Sequence, residues 1–282
     1  MEFITGLYLF VITISIYLYS LFLLLLFKNR KDLFTHSLSK ENLPSISILI
    51  PAYNEEKTIA GTIESVINLD YTEDKKEIIV LNDGSTDKTE EIASAFKNIK
   101  IITKPNSGKA DSLNFGINMA KNEYIGVVDA DCYHEKDALI KVMNCFKEDP
   151  NIEAVTSAVR VQNQKTMLGK LQVIEYTLIA WARKLLEYIN SVYVTPGPLS
   201  VYKKKTLQEL EGFDSKNLTE DIELAWRILR RRHKIKMCLS ARAYTVVPEK
   251  LKQWWHQRLR WDLGGLQTFK KHSDTLGSTK FG

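Results

Sequence analysis

The amino-acid sequence predicts an α/β fold behind one N-terminal transmembrane helix. The run from Phe3 to Phe27 contains no charged residue. From Ile46 to Phe146, short apolar runs alternate with stretches of helical period. The residues just beyond those runs are strongly polar, which is where an open α/β sheet places its ligands.

The N-terminal run comes first. At about 1.5 Å per residue such a helix exceeds the roughly 30 Å hydrocarbon core of a bilayer, with room for tilt. A cleaved leader would begin with basic residues, whereas Lys28, Arg30 and Lys31 follow the apolar run. The run therefore reads as an anchor in the cell membrane, and the positive flank places everything after Phe27 in the cytosol. Residues 1–27 form the anchor, 28–44 a polar linker, 45–249 one catalytic domain and 250–282 an interfacial segment. A chain of 282 residues suits one large domain better than two small ones.

Composition narrows the classes. The three cysteines, Cys132, Cys145 and Cys238, are too few and too scattered for a disulfide framework or a zinc site, and suit a reducing compartment. The net charge of +5 is modest, and no basic stripe is interleaved with nucleic-acid motifs, so nucleic acid is set aside. The basic runs at Lys28–Lys31, Lys203–Lys205 and Arg230–Lys234 read first as solvated faces, and alternatively as contacts to lipid headgroups or a diphosphate.

Within the domain the expected strands are Ile46–Ile50, Glu77–Leu81, Ile99–Ile102 and Tyr124–Val128, each short enough for a buried parallel strand. Helices are expected at Glu56–Leu69, Lys88–Phe96, Lys109–Ala120 and Glu135–Phe146. The last carries Ala138, Leu139, Val142, Met143 and Phe146 on one stripe.

The chemistry sits at the strand ends. Asp129 and Asp131, two carboxylates one residue apart, suit a hard divalent cation, Mg²⁺ or Mn²⁺, that also meets phosphate oxygens; the same tripeptide occurs in solvated turns. Asp83, in a good turn sequence, is placed to accept a hydrogen bond from a base. Ser107-Gly108-Lys109 before a helix offers backbone donors and a cation to phosphate. Tyr53 offers a flat face, or is an ordinary half-buried aromatic. Thr219 is expected to cap the helix that carries Ile222, Ala225, Trp226 and Leu229 on one face, with its dipole keeping Asp221 ionised near neutral pH as a general base. In Gln257-Arg258-Leu259-Arg260-Trp261, Arg260 is suited to a leaving diphosphate and Trp261 to a sugar ring. Trp254 and Trp255 just before it equally suit a helix in the membrane interface.

Taken together, these motifs resemble the processive inverting synthases of glycosyltransferase family 2, which make cellulose, chitin, hyaluronan and poly-N-acetylglucosamine. The likeness runs from Ser45 to about Gly265. It rests on the order of Asp83, Asp129-Ala130-Asp131, Thr219-Glu220-Asp221 and Gln257 to Trp261 rather than on any one of them. The resemblance implies a GT-A nucleotide-sugar-binding fold. It implies that Asp83 reads a uracil base with Tyr53 and Glu55 near the nucleoside, that Asp129 contacts the donor and Asp131 holds the metal, and that Asp221 is the catalytic base. Arg260 and Trp261, with Gln257, would close over the diphosphate and meet the acceptor, and Pro196-Gly197-Pro198 would line the acceptor side. The implied reaction is a single in-line displacement from a UDP-sugar onto a glycan hydroxyl, inverting an α-linked donor to a β-linkage.

A non-processive transferase acting on a lipid or protein, and a catalytically silent nucleotide-binding membrane module, are the competing readings. The silent module would need Asp83 and Asp131 but neither Asp221 nor Arg260. Since family synthases continue into further membrane helices and one helix cannot enclose a polar path for a polymer, export is expected to need more membrane sequence, an additional membrane subunit or a homo-oligomer.

Overall fold

The computed structural model describes residues 2–33 and 39–275. It opens with α1, Glu2–Asn29, a helix of 28 residues that reaches a mean hydropathy of 2.5 over an 18-residue window, is long and apolar enough to cross a membrane and is almost wholly unburied by the rest of the chain. Only its last turns touch the domain: Leu21, Phe22, Leu25 and Leu26 pack near Trp181, Leu185 and Tyr188. Part of the expected linker, residues 34–38, lies outside the described residues. Leu33 and Leu43 on either side of it are buried, and Lys75 Nζ donates to the Leu43 carbonyl at 2.8 Å.

The first half alternates as expected: β1 (Ile46–Ala52), α2 (Ile59–Ile67), β2 (Lys76–Asn82), α3 (Thr89–Ser94), β3 (Lys100–Thr103), α4 (Lys109–Met119) and β4 (Tyr124–Val127). β1 pairs in parallel with β2 and β4, and β2 with β3. Helices cover both faces of β1, so its side chains need no polar alternation. Ile46, Ile48 and Ile50 join the core under α2, and Leu49 joins the one under α4. All four are fully buried, each contributing about 1.5–3 kcal/mol of burial. The helix expected from Glu56 starts at Ile59, because residues 55–58 close a turn in which the Thr58 and Ile59 N–H groups both donate to Glu55 O.

The second half adds β5 (Cys132–His134), α5 (Ala138–Cys145), β6 (Ile152–Val161), α6 (Met167–Glu187), β7 (Ser200–Lys203), α7 (Lys204–Glu209), α8 (Glu220–Arg230), β8 (Lys234–Thr245) and α9 (Leu251–Lys271). Among the described residues one eight-stranded sheet results, in the order β3-β2-β1-β4-β7-β6-β8-β5. β7 runs antiparallel to β4 and β6. The sheet therefore reverses direction beside β4, and the reversal opens a cleft beyond the carboxyl ends of β1, β2 and β4.

α6 and α9 form the far wall. Arg258 of α9 forks onto Glu175 of α6 at 2.7 and 2.6 Å. Both helices leave an apolar stripe uncovered: Met167, Leu171, Ile174 and Leu178 on α6, and Leu251, Trp255, Leu259, Leu263 and Leu266 on α9. The interfacial segment expected after residue 250 is thus a two-faced helix, apolar outward and turned to the cleft on its other side.

Candidate active site

A cleft of about 950 Å³ gathers Tyr53, Glu55, Asp83, Lys109, Asp129, Asp131, Gly197, Asp221, Gln257, Arg260 and Trp261 in its lining. These residues, expected from sequence, are brought together although they come from seven separate segments of the chain.

The β1 and β2 ends are tied together before any ligand arrives. Asn54 adopts φ 56°, a conformation that asparagine tolerates better than most residues. Its N–H donates to Ser85 Oγ at 3.0 Å, and its side-chain oxygen accepts from Thr86 N–H at 2.8 Å. Asp83 is 3% exposed. It accepts from the N–H groups of Ser107 and Gly108 at 3.0 and 2.8 Å and from Lys104 Nζ. Burial alone would raise its pKa, but these donors hold the carboxyl below the usual range. This corrects one expectation: the Ser107 and Gly108 donors assigned to a phosphate are spent on Asp83, leaving Lys109 as that segment's contribution.

Lys109 spans the cleft, with Nζ 2.7 Å from Asp129 Oδ1 and 3.0 Å from Glu220 Oε1. Burial works against its charge, yet Asp129, Glu220 and Asp221 hold the ammonium well above its ordinary pKa. Asp129 follows β4, where its N–H donates to Gly197 O at 3.1 Å. Gly197 leaves room for Asp129: a Cβ there would stand 2.2 Å from both Asp129 carboxylate oxygens, so the carboxylate would have to shift.

Asp129, Asp131 and Cys132 bring ligand atoms within 4.8 Å of one another. Burial, then the neighbouring charge of Asp129, pushes Asp131 up to about 6. Cys132 donates its thiol proton toward Asp131 Oδ1 at 3.1 Å, and burial raises its pKa well above the ordinary value. The two carboxylates of this group are hard oxygen donors and fit an oxygen-preferring divalent cation such as Mg²⁺ or Mn²⁺.

Opposite lies the first turn of α8. Asp221 accepts from its neighbour Ile222 N–H at 2.9 Å, and its carbonyl accepts from Thr195 Oγ1 at 3.2 Å. Burial, then Glu220, pushes the Asp221 carboxyl up to about 7, with Lys109 opposing. Desolvation and a like charge thus work against the helix dipole expected to keep Asp221 ionised near neutral pH. Thr219 stands at the cap position but makes no side-chain cap bond. It receives α9 instead, because a Cβ on Gly264 would stand 2.2 Å from Thr219 Oγ1.

On α9 the two arginines part company. Arg258 turns to α6 and lies over the Trp261 ring, 4.1 Å from its centroid. Arg260 is exposed to the cleft, with Nη1 donating to Leu218 O at 3.2 Å. Glu220, Tyr176, Arg183 and Tyr193 also line the cleft and were not singled out from sequence. Tyr176, Ala180 and Arg183 follow one helical face of α6, so an arginine on an otherwise buried stripe was the available signal.

A curled α/β sheet with carboxylates at its strand ends and a cleft of this make-up define a GT-A-like fold. The chain belongs to glycosyl transferase family 2, whose model matches residues 47–211. It is similar to the poly-β-1,6-N-acetyl-D-glucosamine synthase of Staphylococcus aureus (strain COL), 35% identical over 245 residues, covering 85% of this chain and 59% of the relative. The synthase of that name from Staphylococcus epidermidis is 36% identical over 230 residues, covering 80% and 55%. The chain thus spans less than two thirds of the length of these relatives.

Among solved structures, the mannosyltransferase PcManGT from Pyrobaculum calidifontis, in complex with GDP-Man and Mn²⁺, superposes with a TM-score of 0.74 at 20% identity, over 93% of this chain and 74% of that one. TarS (residues 1–349) of S. aureus, in complex with UDP-GlcNAc, gives 0.56 at 20% identity over 73% and 59%. These two show the fold.

Proposed function

We propose that the chain is the catalytic part of a membrane-bound inverting glycosyltransferase that moves N-acetylglucosamine from UDP onto an acceptor hydroxyl in β-linked polysaccharide synthesis. The observation that carries this reading is the convergence of Asp83, Asp129, Asp131, Asp221 and Arg260 on one cleft. A silent nucleotide-binding module would have no use for a base and a cation opposite the donor carboxylates. The choice of UDP and N-acetylglucosamine is supported by the names of the relatives and not by the fold, since a neighbour of like fold holds GDP-Man.

In this reading Tyr53, Glu55 and Asp83 hold the nucleoside, and Asp129 and Asp131 hold Mg²⁺ or Mn²⁺. The ion supplies charge neutralisation to the diphosphate. Asp221 takes the proton of the acceptor hydroxyl as its oxygen bonds to the anomeric carbon. The bond from that carbon to the β-phosphate oxygen breaks, and UDP leaves with the electron pair. Arg260 and Lys109 face the leaving charge, while Gln257, Trp261 and Gly197 border the acceptor. Catalysis then rests on positioning and fixed charge rather than on a covalent intermediate. Lys28, Arg30 and Lys31 after the anchor favour a cytosolic cleft.

The test is radiolabel transfer from a panel of UDP-sugars by the full chain in membranes, with Mg²⁺ or Mn²⁺ and with a chelator. Metal-dependent transfer from UDP-N-acetylglucosamine into glycan is expected. Intact UDP binding without transfer from any donor would overturn the assignment.

A further inference from the structure

Arg183 has no part in the chemistry above, yet its donors are the least satisfied in the cleft wall. It sits on α6, lines the cleft and is 2% exposed. Neither Nε nor Nη1 has a hydrogen-bond partner. Burial brings its pKa down to about 10, against the fields of Tyr193, Asp221 and Tyr176, so the group stays charged at neutral pH. Buried donors without acceptors are costly, and a shift of the guanidinium onto a ligand oxygen in the cleft removes that cost.

Charge says where the ligand lies and of what kind it is. Lys109 is engaged by Asp129 and Glu220, and the field of Arg260 falls on Glu220. The carboxylate that Arg183 feels is Asp221, which places it on the base side of the cleft, away from the strand ends that hold a donor. Arg183 and ionised Asp221 sum to zero, which favours a neutral ligand with a hydroxyl at Asp221 and a strong acceptor oxygen at Arg183. A carboxylate or phosphate would stand beside Asp221 and Glu220 and be repelled. Tyr176 and Tyr193, both in the lining, supply rings for the apolar face of a sugar.

We propose that Arg183 is a specificity-determining residue of the acceptor subsite, its guanidinium donating to the amide carbonyl oxygen of an N-acylated acceptor sugar whose hydroxyl faces Asp221. This rests on the reading that the cleft transfers N-acetylglucosamine to a glycan. The test compares β-1,6-linked N-acetylglucosamine oligomers with their de-N-acetylated counterparts as acceptors for the full chain in nanodiscs. In Arg183→Met the acceptor KM for the N-acetylated oligomer rises roughly 10- to 100-fold, the scale of a charge-assisted hydrogen bond. Preference between the two oligomers collapses, and UDP affinity is unchanged. Arg183→Lys, which keeps the charge without the fork, recovers part of the affinity. The Met variant melts no lower than wild type, because a buried unpaired charge is gone. An unchanged acceptor KM and preference, or an equal loss on both oligomers, overturns this inference alone. Wild-type protein that binds UDP but transfers to neither oligomer overturns the functional reading, and the inference with it.

Discussion

On the strand-end side of the cleft Asp83 is met by two backbone N–H groups and a lysine, and its carboxyl is held below the usual pKa. On the helical side Asp221 is pushed up to about 7, and Arg183 keeps two unmet donors. The β2 end is built as a rigid receptor around Asp83, whose charge is settled before a ligand comes. The helical side holds charge that only reactants complete, so its cost in the free protein is recovered during the reaction. A receptor and a reaction chamber therefore share one sheet.

The largest break in this contrast is Asp221→Asn. Transfer falls roughly 10²–10⁴-fold, the range of general-base catalysis, while UDP affinity by calorimetry stays near wild type. Stability moves the other way. A carboxyl whose folded pKa is raised disfavours folding above that pKa and is neutral below its ordinary value of 3.8. The Asn variant should thus melt higher than wild type at pH 8 and equally at low pH. Near wild-type turnover would name another base.

Next in size, Asp131→Ala removes metal-dependent UDP binding, a loss on the order of a hundredfold, as expected when a charged partner worth about 2–5 kcal/mol is removed. Titrating UDP with and without Mn²⁺ checks it. Metal-dependent affinity that survives in the folded variant excludes Asp131 as a ligand.

Gly197→Ala probes the same carboxylates from outside. The new methyl forces Asp129 aside, and a weakening of metal-dependent binding of about tenfold follows from an ångström-scale displacement. Full affinity would show that Asp129 moves without consequence. The smallest effect is on pH dependence. Turnover rises with pH through about 7 as Asp221 ionises, and Glu220→Gln shifts that limb to lower pH by about one unit or less, because the neighbouring charge that raises Asp221 is gone. An upward or absent shift contradicts the coupling.

The same contrast explains how much was legible in the sequence. Strands β1, β2 and β4 announce themselves as short apolar runs with acids at their ends, because a strand covered on both faces has few polar positions to confuse its limits. The helical side lacks that signature. β8 carries Lys234, Lys236, Ser240 and Arg242 among its apolar residues, and α6 shows apolar residues on both its buried and its exposed faces. An arginine in such a helix, beside Lys184, reads as solvated until the fold buries it. The loss of the Ser107 and Gly108 donors to Asp83 was invisible for another reason: that contact spans the chain from one strand end to another, and no local pattern encodes it.

Gly264 gives α9 a fulcrum. With no side chain between its backbone and Thr219, the helix backbone passes directly against the start of α8, with Arg260 about 6 Å away along its axis at 1.5 Å per residue. A methyl inserted at that point acts as a shim. A tilt of roughly 10° about it carries the backbone of Arg260 by about 1 Å, the displacement at which catalytic groups lose on the order of a hundredfold. The residue that sets the reach of the arginine is thus one that touches no reactant and has no side chain.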